Sequence, residues 1–398
     1  MSLLENVHSL ADKYFDDALK HRRHLHANPE LSFHEKETAK YVQSILSEKG
    51  IAFKSDVAGH GVVGYIEGKN PNLKTIALRG DMDALPITED VDVPYKSTKD
   101  GIMHACGHDA HTASLLGAAT ILNELKSEFE GSIKLIFQPA EEKFPGGASL
   151  MIKEGVLKNP EPIGIIGQHV LPELKAGLVG FRPGIFMASA DEITLRIKGK
   201  GGHAAQPHKL TDSILMTAEI ITGLQQVVSR KTDPNTPCVL SFGDINTAGG
   251  YYNVIPDNVT VLGTFRTMDE KWRYEAHDII REMTAQIAKS FGGEAEADIT
   301  VGYPFLINNE EMTTAAMNHA VEYMGEENVV EVPIRMGAED FAYYTHHTKG
   351  CFYRLGTGNT ALNTEYGLHN AKFNIDESAL KTGLGLMAWL AIRSLDNN

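Results

Sequence analysis

Short apolar runs rich in β-branched residues alternate with amphipathic helical patterns over Asp12–Gly167, and this alternation restricts the fold more than any other feature. The apolar runs are Val62–Ile66, Thr75–Arg79, Ile133–Phe137 and Ile163–Gly167, and the helical patterns are Asp12–Ala27, Glu35–Lys49 and His111–Leu125. Strands that alternate with helices are typical of a mainly parallel sheet flanked by helices. We therefore predict an α/β domain of this kind.

A different order of elements begins near Ala190. It consists of strand Glu192–Lys198, helix Asp212–Ser229, strands Val239–Ile245 and Val259–Arg266, helix Glu270–Phe291 and strand Ala297–Val301. This βαββαβ order is typical of a ferredoxin-like α+β unit. A chain of 398 residues also exceeds what one hydrophobic core usually organises. We expect an inserted second domain over residues 184–303, with residues 1–183 and 304–398 forming the first domain, which helices Glu311–Met324 and Glu377–Ser394 and strand Cys351–Leu355 complete.

Composition restricts the kinds of binding partner and the cellular compartment that we expect for this chain. The formal net charge is −15 and the basic residues are scattered, so the chain offers no basic stripe to neutralise a nucleic acid backbone. Met1–Arg23 has no apolar run long enough for a signal sequence or a membrane span. The cysteines Cys106, Cys238 and Cys351 are too few for a disulfide framework. We expect a cytoplasmic protein that binds neither nucleic acid nor membrane.

Residues able to bind metal follow three of the four apolar runs. Asp81 and Asp83 come after Thr75–Arg79, the Glu141-Glu142 pair comes after Ile133–Phe137, and His169 comes after Ile163–Gly167. In open α/β sheets, ligands bind in the crevice beyond the carboxyl ends of the strands. The sequence therefore predicts that these distant residues converge in one site.

A dense cluster of potential ligands lies between the second and third of these runs. Its members are His104, Cys106, His108, Asp109 and His111. Most of the 17 histidines of the chain must be surface or hydrogen-bonded residues, but this density favours Cys106 and His108 as ligands. On an extended loop, alternate residues point the same way, so the pair can bind one ion or two adjacent ions. We expect His104 and His111 to have supporting or structural roles and Asp109 to orient an imidazole.

The adjacent carboxylates Glu141 and Glu142 have two interpretations. They can belong to an exposed acidic loop, or one can bind metal while the other transfers a proton during hydrolysis. The spacing alone does not say which carboxylate has which role.

Several blocks of the sequence together resemble the binuclear metallopeptidase family of aminoacylases and carboxypeptidases, in particular its hippurate-hydrolase and auxin-conjugate-hydrolase branch. They are His24–Leu31, Arg79–Pro86, Met103–His111, Gln138–Glu142, Gly199–Pro207, Gly337–Phe341 and Leu368–Asn370. The resemblance implies two divalent ions bound by Cys106, His108, Glu142, His169 and His369, with Glu141 as the general acid/base. His369 is assigned by this resemblance alone.

The chain departs from the wider family at its first potential ligand strand. Most members have a His-x-Asp there, whereas this chain has Asp81-Met82-Asp83. In the branch that the chain resembles, the thiol at Cys106 replaces the missing histidine, so we expect Asp81 and Asp83 to lie outside the ligand set. A thiolate favours zinc, but a mixed site also accepts manganese, nickel or cobalt.

The inserted domain carries a glycine-rich turn, Gly199–Ala205, with one imidazole at His203. Taken alone, such a turn is a tight connection. The resemblance implies that His203 reaches the site of a neighbouring subunit and stabilises an oxyanion, which requires a homodimer through the inserted domain. It also implies that Asn253 and Arg266 bind the substrate α-carboxylate, for which a guanidinium fork is well suited.

These residues predict metal-dependent hydrolysis of the amide bond of N-acyl L-amino acids, with acetyl, benzoyl or similar acyl groups. A dipeptidase or carboxypeptidase with the same two-metal site is the close alternative. A metal-storing or metal-sensing protein without catalysis is a rival of another class, but it has no use for a carboxylate beside the ligands. A third alternative uses Cys106 as a nucleophile and His108 as its base.

Overall fold

The computed structural model describes residues 1–396, which divide into two compact units. Unit 1 contains Met1–Gly184, Ile307–Pro333 and the chain from Asp340 onward, and unit 2 contains Ile185–Leu306 and Ile334–Glu339. Within the described residues, every helix is too short or too polar to cross a membrane.

The helices and strands are numbered in chain order. The helices are α1 (Leu3–Ala27), α2 (Lys36–Glu48), α3 (His108–Glu124), α4 (Gly147–Lys153), α5 (Ser213–Gln226), α6 (Glu270–Ser290), α7 (Glu310–Met324), α8 (Ala342–Thr345) and α9 (Ala379–Asp396). The strands are β1 (Ala52–Val57), β2 (Gly61–Glu67), β3 (Thr75–Asp81), β4 (Ser132–Gln138), β5 (Gly164–Lys175), β6 (Val179–Phe181), β7 (Gly184–Met187), β8 (Asp191–Lys198), β9 (Gly202–His203), β10 (Cys238–Thr247), β11 (Val254–Ile255), β12 (Asn258–Thr267), β13 (Glu294–Val301), β14 (Leu306–Asn308), β15 (Val329–Glu331) and β16 (Gly350–Gly358).

Unit 1 is built on an eight-stranded sheet with the strand order β1-β2-β4-β3-β5-β16-β6-β15. The central strands β4, β3, β5 and β16 run parallel to one another. β3 and β4 are buried along their whole length, which explains their continuous apolar sequences, because helices cover both faces of such strands. Helices α1, α3 and α9 pack together and bury one large hydrophobic core with the sheet. The predicted α/β class is confirmed.

Strand β5 is longer than the predicted run Ile163–Gly167. It continues to Lys175 because β16 remains paired with it, with Arg354 opposite His169 and Gly358 opposite Lys175. His169 therefore lies within a strand rather than after one. The pairing partner is far away in sequence, so the apolar run alone could not reveal this extension.

Unit 2 is built on a four-stranded antiparallel sheet with the order β10-β12-β8-β13. Helices α5 and α6 pack against this sheet over a core of its own. The order of elements along the chain is βαββαβ, as expected for the ferredoxin-like class.

Unit 2 differs from the predicted range 184–303 at its ends and by one remote segment. It includes residues 304–306 and the segment Ile334–Glu339, both expected in the first domain, whereas Gly184 belongs to unit 1. Met187 forms a bridge with Arg335, and the Ala188 N–H donates to the Arg335 and Gly337 carbonyls at 3.2 and 3.1 Å. These are backbone contacts between remote segments, which the local pattern of residues does not encode.

Unit 1 contains a histidine whose titration should affect stability. The His21 ring is half-buried, its Nδ1 lies 2.8 Å from the Tyr41 hydroxyl, and burial lowers the pKa of His21 from 6.5 to about 4. Between these pH values the unfolded chain binds the proton and the folded protein does not, so stability falls as the pH falls.

We expect the variant His21→Gln, which keeps an acceptor for Tyr41 but does not titrate, to lose less stability than the wild type between pH 6.5 and pH 4. The expected difference is about 2 to 3 kcal/mol in the free energy of unfolding, measured by urea titration at each pH. Parallel stability curves for the two proteins would contradict this expectation.

Candidate metal centre

Cys106 and His108 converge because of the glycine between them. Gly107 has a left-handed backbone, with φ of +84°, and α3 begins at the next residue. A Cβ at Gly107 would overlap Val170 Cγ2, so only glycine fits this turn. The expected extended loop at this point was wrong, since His108 occupies the first turn of a helix.

His108 is the central imidazole of the cluster and is fully buried. Its Nδ1 donates to Asp83 Oδ1 at 3.1 Å, so the neutral imidazole, the form that binds a metal, has its lone pair on Nε2. That Nε2 atom is buried and has no hydrogen-bond partner among the described residues. It lies 3.6 Å from Asp81 Oδ2, 3.9 Å from Glu142 Oε1 and 4.0 Å from Glu141 Oε2. An orphaned nitrogen facing three carboxylates is the arrangement that a cation would satisfy.

The other donors surround His108 in two groups that share Cys106. The ligand atoms of Cys106, His108 and His169 lie within 4.8 Å of one another, and so do those of Cys106, Glu142 and His369. Cys106 Sγ is 3.5 Å from His169 Nε2, and Glu142 Oε1 is 3.0 Å from His369 Nε2. All five residues proposed from the sequence as ligands are therefore close together in unit 1.

Hydrogen bonds to backbone carbonyls fix His169 and His369 in different ways. The Nδ1 atom of His169 donates to the Val170 carbonyl at 2.8 Å, so its Nε2 presents a lone pair toward Cys106. The His369 backbone has a φ of +62°, and its N–H donates to the Ala105 carbonyl at 2.8 Å. The His369 side chain is 52 % exposed, so this residue forms the open edge of the cluster.

Glu141 lies beside this cluster and is 6 % exposed. Its Oε1 accepts a long hydrogen bond of 3.4 Å from the Asp340 N–H. The ligand atoms of His108, Glu141 and Glu142 also lie within 4.8 Å of one another. The acidic pair is thus turned inward, and the exposed acidic loop considered from the sequence does not describe it.

Asp81 and His111 are hydrogen-bonded to each other, and His111 is also hydrogen-bonded to the backbone. His111 Nδ1 donates to Asp81 Oδ1 at 2.6 Å, and its Nε2 accepts from the Val170 N–H at 2.9 Å. Both nitrogens of His111 are occupied, so this imidazole has no lone pair for a metal. Asp83 is equally engaged, because it accepts from His108, from the Glu142 N–H at 2.9 Å and from Ser32 Oγ at 2.6 Å.

Arg79 is a buried cation that joins the ends of neighbouring strands. It donates to Asp81 Oδ2 at 2.6 Å, to Gln138 Oε1 at 3.0 Å and to Asp340 Oδ1 at 2.9 Å. Asp340 also accepts from the Ala148 N–H at 2.9 Å. Sequence reasoning missed this network, although an arginine at the end of an apolar strand was a usable signal.

Asp109 does not orient a ligand imidazole, contrary to the expectation from the sequence. It accepts from Arg22 Nε at 2.9 Å and lies 2.8 Å from His26 Nδ1. His26 Nε2 lies 3.0 Å from Glu89 Oε1. The carboxylate that holds His108 is Asp83, because the helical turn at α3 directs the Asp109 side chain toward α1 instead.

The electrostatics of the cluster favour a bound cation. Burial alone would lower the pKa of His108, but the carboxylates of Asp81, Asp83 and Glu142 raise it to about 10. Burial raises the pKa of the Cys106 thiol well above its ordinary value, and the charges of Glu142, Glu141 and Asp81 raise it further. This concentration of buried negative charge is costly unless a positive ion compensates it. Thiol, imidazole and carboxylate donors together suit a divalent transition metal.

The remaining predicted residues lie in unit 2. His203 and Asn253 are neighbours there, since Val254 pairs with His203 and the Ala204 N–H donates to the Asn253 carbonyl at 3.0 Å. His203 and Asn253 are exposed. Arg266 is half-buried, donates to the Met336 carbonyl at 3.1 Å and has its pKa lowered by burial. In the Gly199–Ala205 turn, a side chain at Gly201 would overlap the Ile255 carbonyl, so this glycine serves close packing.

Comparisons with known proteins place this chain among hydrolases. It is 40 % identical over 377 residues to N-acetyl-L-cysteine deacetylase of Bacillus subtilis, covering 95 % of this chain and 88 % of that protein. It is 39 % identical over 387 residues to IAA-amino acid hydrolase ILR1-like 4 of Arabidopsis thaliana, with 96 % and 86 % covered. It is 38 % identical over 396 residues to thermostable carboxypeptidase 2 of Saccharolobus solfataricus, with 99 % of each covered.

Solved structures agree with these relatives. The fold is similar to the crystal structure of the Bacillus subtilis YXEP protein, described as a dinuclear metal binding peptidase of the M20 family. The TM-score is 0.83 at 34 % sequence identity, with 97 % of this chain and 100 % of that chain covered. The family model for peptidase family M20/M25/M40 matches residues 77–393. The chain therefore belongs to peptidase family M20/M25/M40 and is a metal-dependent amide hydrolase.

Proposed function

We propose that this enzyme hydrolyses the amide bond of N-acyl L-amino acids to a carboxylate and a free amino acid. The observation that carries the proposal is Glu141, a buried carboxylate that lies beside the donor cluster and is not needed to complete either donor group that shares Cys106. A purely structural metal site has no use for such a group. Relatives with about 40 % identity are named for an N-acetyl amino acid and for an auxin conjugate, which supports the substrate class.

Cys106, His108, Glu142, His169 and His369 are the residues that would hold two divalent ions. These ions would supply Lewis-acid chemistry, which polarises the scissile carbonyl and lowers the pKa of the attacking water. Glu141 would accept the proton from that water and donate it to the leaving nitrogen. The Asp340 N–H, 3.4 Å from Glu141 Oε1, would keep the carboxyl group oriented during both transfers.

The substrate α-carboxylate and the oxyanion would be bound by residues of unit 2. Burial disfavours the charged form of the Arg266 guanidinium, and pairing with a carboxylate would offset this cost. Asn253 would donate to the same group, and His203 would stabilise the oxyanion from a neighbouring copy of the chain. The two outer strands of the unit 2 sheet, β10 and β13, offer edges for such a homodimer.

The alternative with Cys106 as the nucleophile is disfavoured by its surroundings. A nucleophilic cysteine needs a lowered pKa and a base directed at its sulfur. Burial and adjacent carboxylates instead raise the pKa of Cys106, and His108 Nδ1 donates to Asp83. Peptide hydrolysis is a closer alternative, because one relative is a carboxypeptidase.

The test is a panel of N-acetyl and N-benzoyl amino acids, dipeptides and N-blocked peptides, assayed for amine release by protein reconstituted with zinc, manganese, nickel or cobalt. We expect the highest kcat/KM for N-acyl amino acids. Removal of the metal by dipicolinate should lower activity by more than about a hundredfold, and divalent ions should restore it. Full activity in protein shown to be metal-free would overturn the proposal, and a preference for N-blocked peptides would favour the carboxypeptidase alternative.

The native metal and the compartment stay predictions. A thiolate donor favours zinc on softness, and manganese, nickel and cobalt are compatible with the same donor set. All three cysteines are free thiols in the structure, in keeping with a reducing cytoplasm. Elemental analysis of protein purified without added metal would identify the ion.

A further inference from the structure

The N-terminal segment Glu30–Glu35 contributes two side chains to the strand ends that carry the donor cluster. Ser32 Oγ donates to Asp83 Oδ2 at 2.6 Å, and Glu35 Oε1 accepts from the Ala140 N–H at 2.7 Å. Glu35 is fully buried and Ser32 is nearly so. The mechanism described above gives neither residue a role.

Ala140 adopts a backbone conformation that alanine disfavours. Its φ is +53°, in the left-handed region, and it directly precedes Glu141 and Glu142. For a residue with a Cβ, this conformation costs about 1 kcal/mol or more. A relaxation of Ala140 would redirect both carboxylates, so the surrounding contacts must maintain the turn.

Three hydrogen bonds hold the turn over residues 139–142. The Ala140 N–H is bound by Glu35, the Ala140 carbonyl accepts from the Gly147 N–H at 2.8 Å, and the Glu142 N–H donates to Asp83 at 2.9 Å. Gly147 packs so closely that a Cβ there would overlap the Pro139 carbonyl. Of these partners, Glu35 is the one that belongs to the N-terminal segment Glu30–Glu35.

We propose that Glu35 is a positioning residue that, by accepting the Ala140 N–H, holds the turn in the conformation directing Glu141 and Glu142 into the donor cluster. The inference rests on the proposed function for the role of Glu141. Ser32 assists through Asp83, which binds the next amide of the same turn.

The surroundings of Glu35 argue against a space-filling role. Burial and then the charge of Asp83 raise the pKa of Glu35 to about 7, and its Oε2 has no hydrogen-bond partner among the described residues. A carboxyl group is therefore an unfavourable choice here by itself. An apolar side chain would fill the same volume without this cost. We therefore attribute the presence of a carboxylate to the hydrogen bond that it accepts from the Ala140 N–H.

The test compares three variants of the full-length enzyme. Glu35→Leu removes the acceptor, Glu35→Gln keeps one, and Glu30→Leu is the matched control. Glu30 lies in the same segment, and its Oε2 accepts the Thr38 N–H at 2.8 Å, so its loss weakens α2 without touching the turn.

For Glu35→Leu we expect kcat to fall about 50-fold with KM within about threefold, because small misplacements of catalytic groups have effects of this size. The affinity of the apo-protein for Co²⁺, measured by absorption titration, should fall about tenfold, since Glu142 is redirected as well. Glu35→Gln should stay within about threefold of wild type in both quantities, because its carbonyl can accept the same bond. Glu30→Leu should keep both, although its Tm falls.

Equal losses in Glu35→Leu and Glu30→Leu would overturn the inference, as would a Glu35→Gln variant as impaired as Glu35→Leu. If Glu35→Leu shows no cooperative melting, Glu35→Asp replaces it under the same criteria, because its carboxyl lies one methylene short of Ala140. If the wild type hydrolyses no substrate of the panel, the proposed function fails, and the Co²⁺ titration alone decides the role of Glu35.

Discussion

Replacing Glu141 with glutamine is expected to lower kcat by about 10³-fold while both divalent ions stay bound, as measured by steady-state kinetics and elemental analysis of the same preparation. Glutamine has the shape of glutamate and can still accept the Asp340 N–H, but it cannot take a proton from water or deliver one to a leaving nitrogen. The loss should therefore appear in kcat rather than in KM.

The adjacent residue provides a matched control for this prediction. Glu142→Gln changes the carboxylate that lies 3.0 Å from His369 Nε2 and belongs to a donor group with Cys106, so it should lose metal as well as activity. Loss of ions from Glu141→Gln would make Glu141 a ligand instead. Retention of more than about a tenth of the wild-type rate would remove it from proton transfer.

Replacing His108 with alanine is expected to have the second large effect. We expect the affinity for divalent ions to fall more than about a hundredfold, beyond what the loss of an outer partner causes, and hydrolysis to become undetectable. The reason is its position: His108 Nε2 is a buried orphan that faces both Glu141 and Glu142, and its ring joins Cys106 and His169 in one donor group. Calorimetric titration of the apo-protein with Zn²⁺ measures the affinity directly.

His104 is the corresponding control, because it is a buried histidine that lies shortly before His108 in the chain. Neither of its ring nitrogens has a hydrogen-bond partner among the described residues, and burial lowers its pKa to about 4. It belongs to none of the donor groups found among the described residues. His104→Leu should therefore keep the wild-type affinity for Zn²⁺. A variant of His104 that loses metal, or a variant of His108 that keeps it, would refute the assignment.

The fold class was accessible from the sequence because its signals are local. A buried parallel strand such as Thr75–Asp81 needs apolar residues on both faces, and such a run can be read from composition. The extension of β5 beyond Gly167 and the membership of Ile334–Glu339 in unit 2 depend on partners remote in sequence. Those features could not be predicted from any window of the chain.

The residues of the site also differ in whether the local sequence reveals them. Cys106 and His108 stand out by density, and the acidic pair stands out by adjacency. His369 needed the family resemblance, because an isolated histidine before a helix carries no local signal. Glu35 and Arg79 escaped notice because each acts by binding other groups of the protein, and such partners emerge only from the three-dimensional arrangement.

The five proposed ligands come from segments that are widely spaced between residues 106 and 369, and this spacing gives a bound ion a second effect. An ion bridging such segments closes long loops of the chain, much as a covalent cross-link does, and it favours the native state by mass action. Loading with metal should therefore slow proteolysis of unit 1. The metal centre would then also protect the enzyme from degradation as long as its metal ions are supplied.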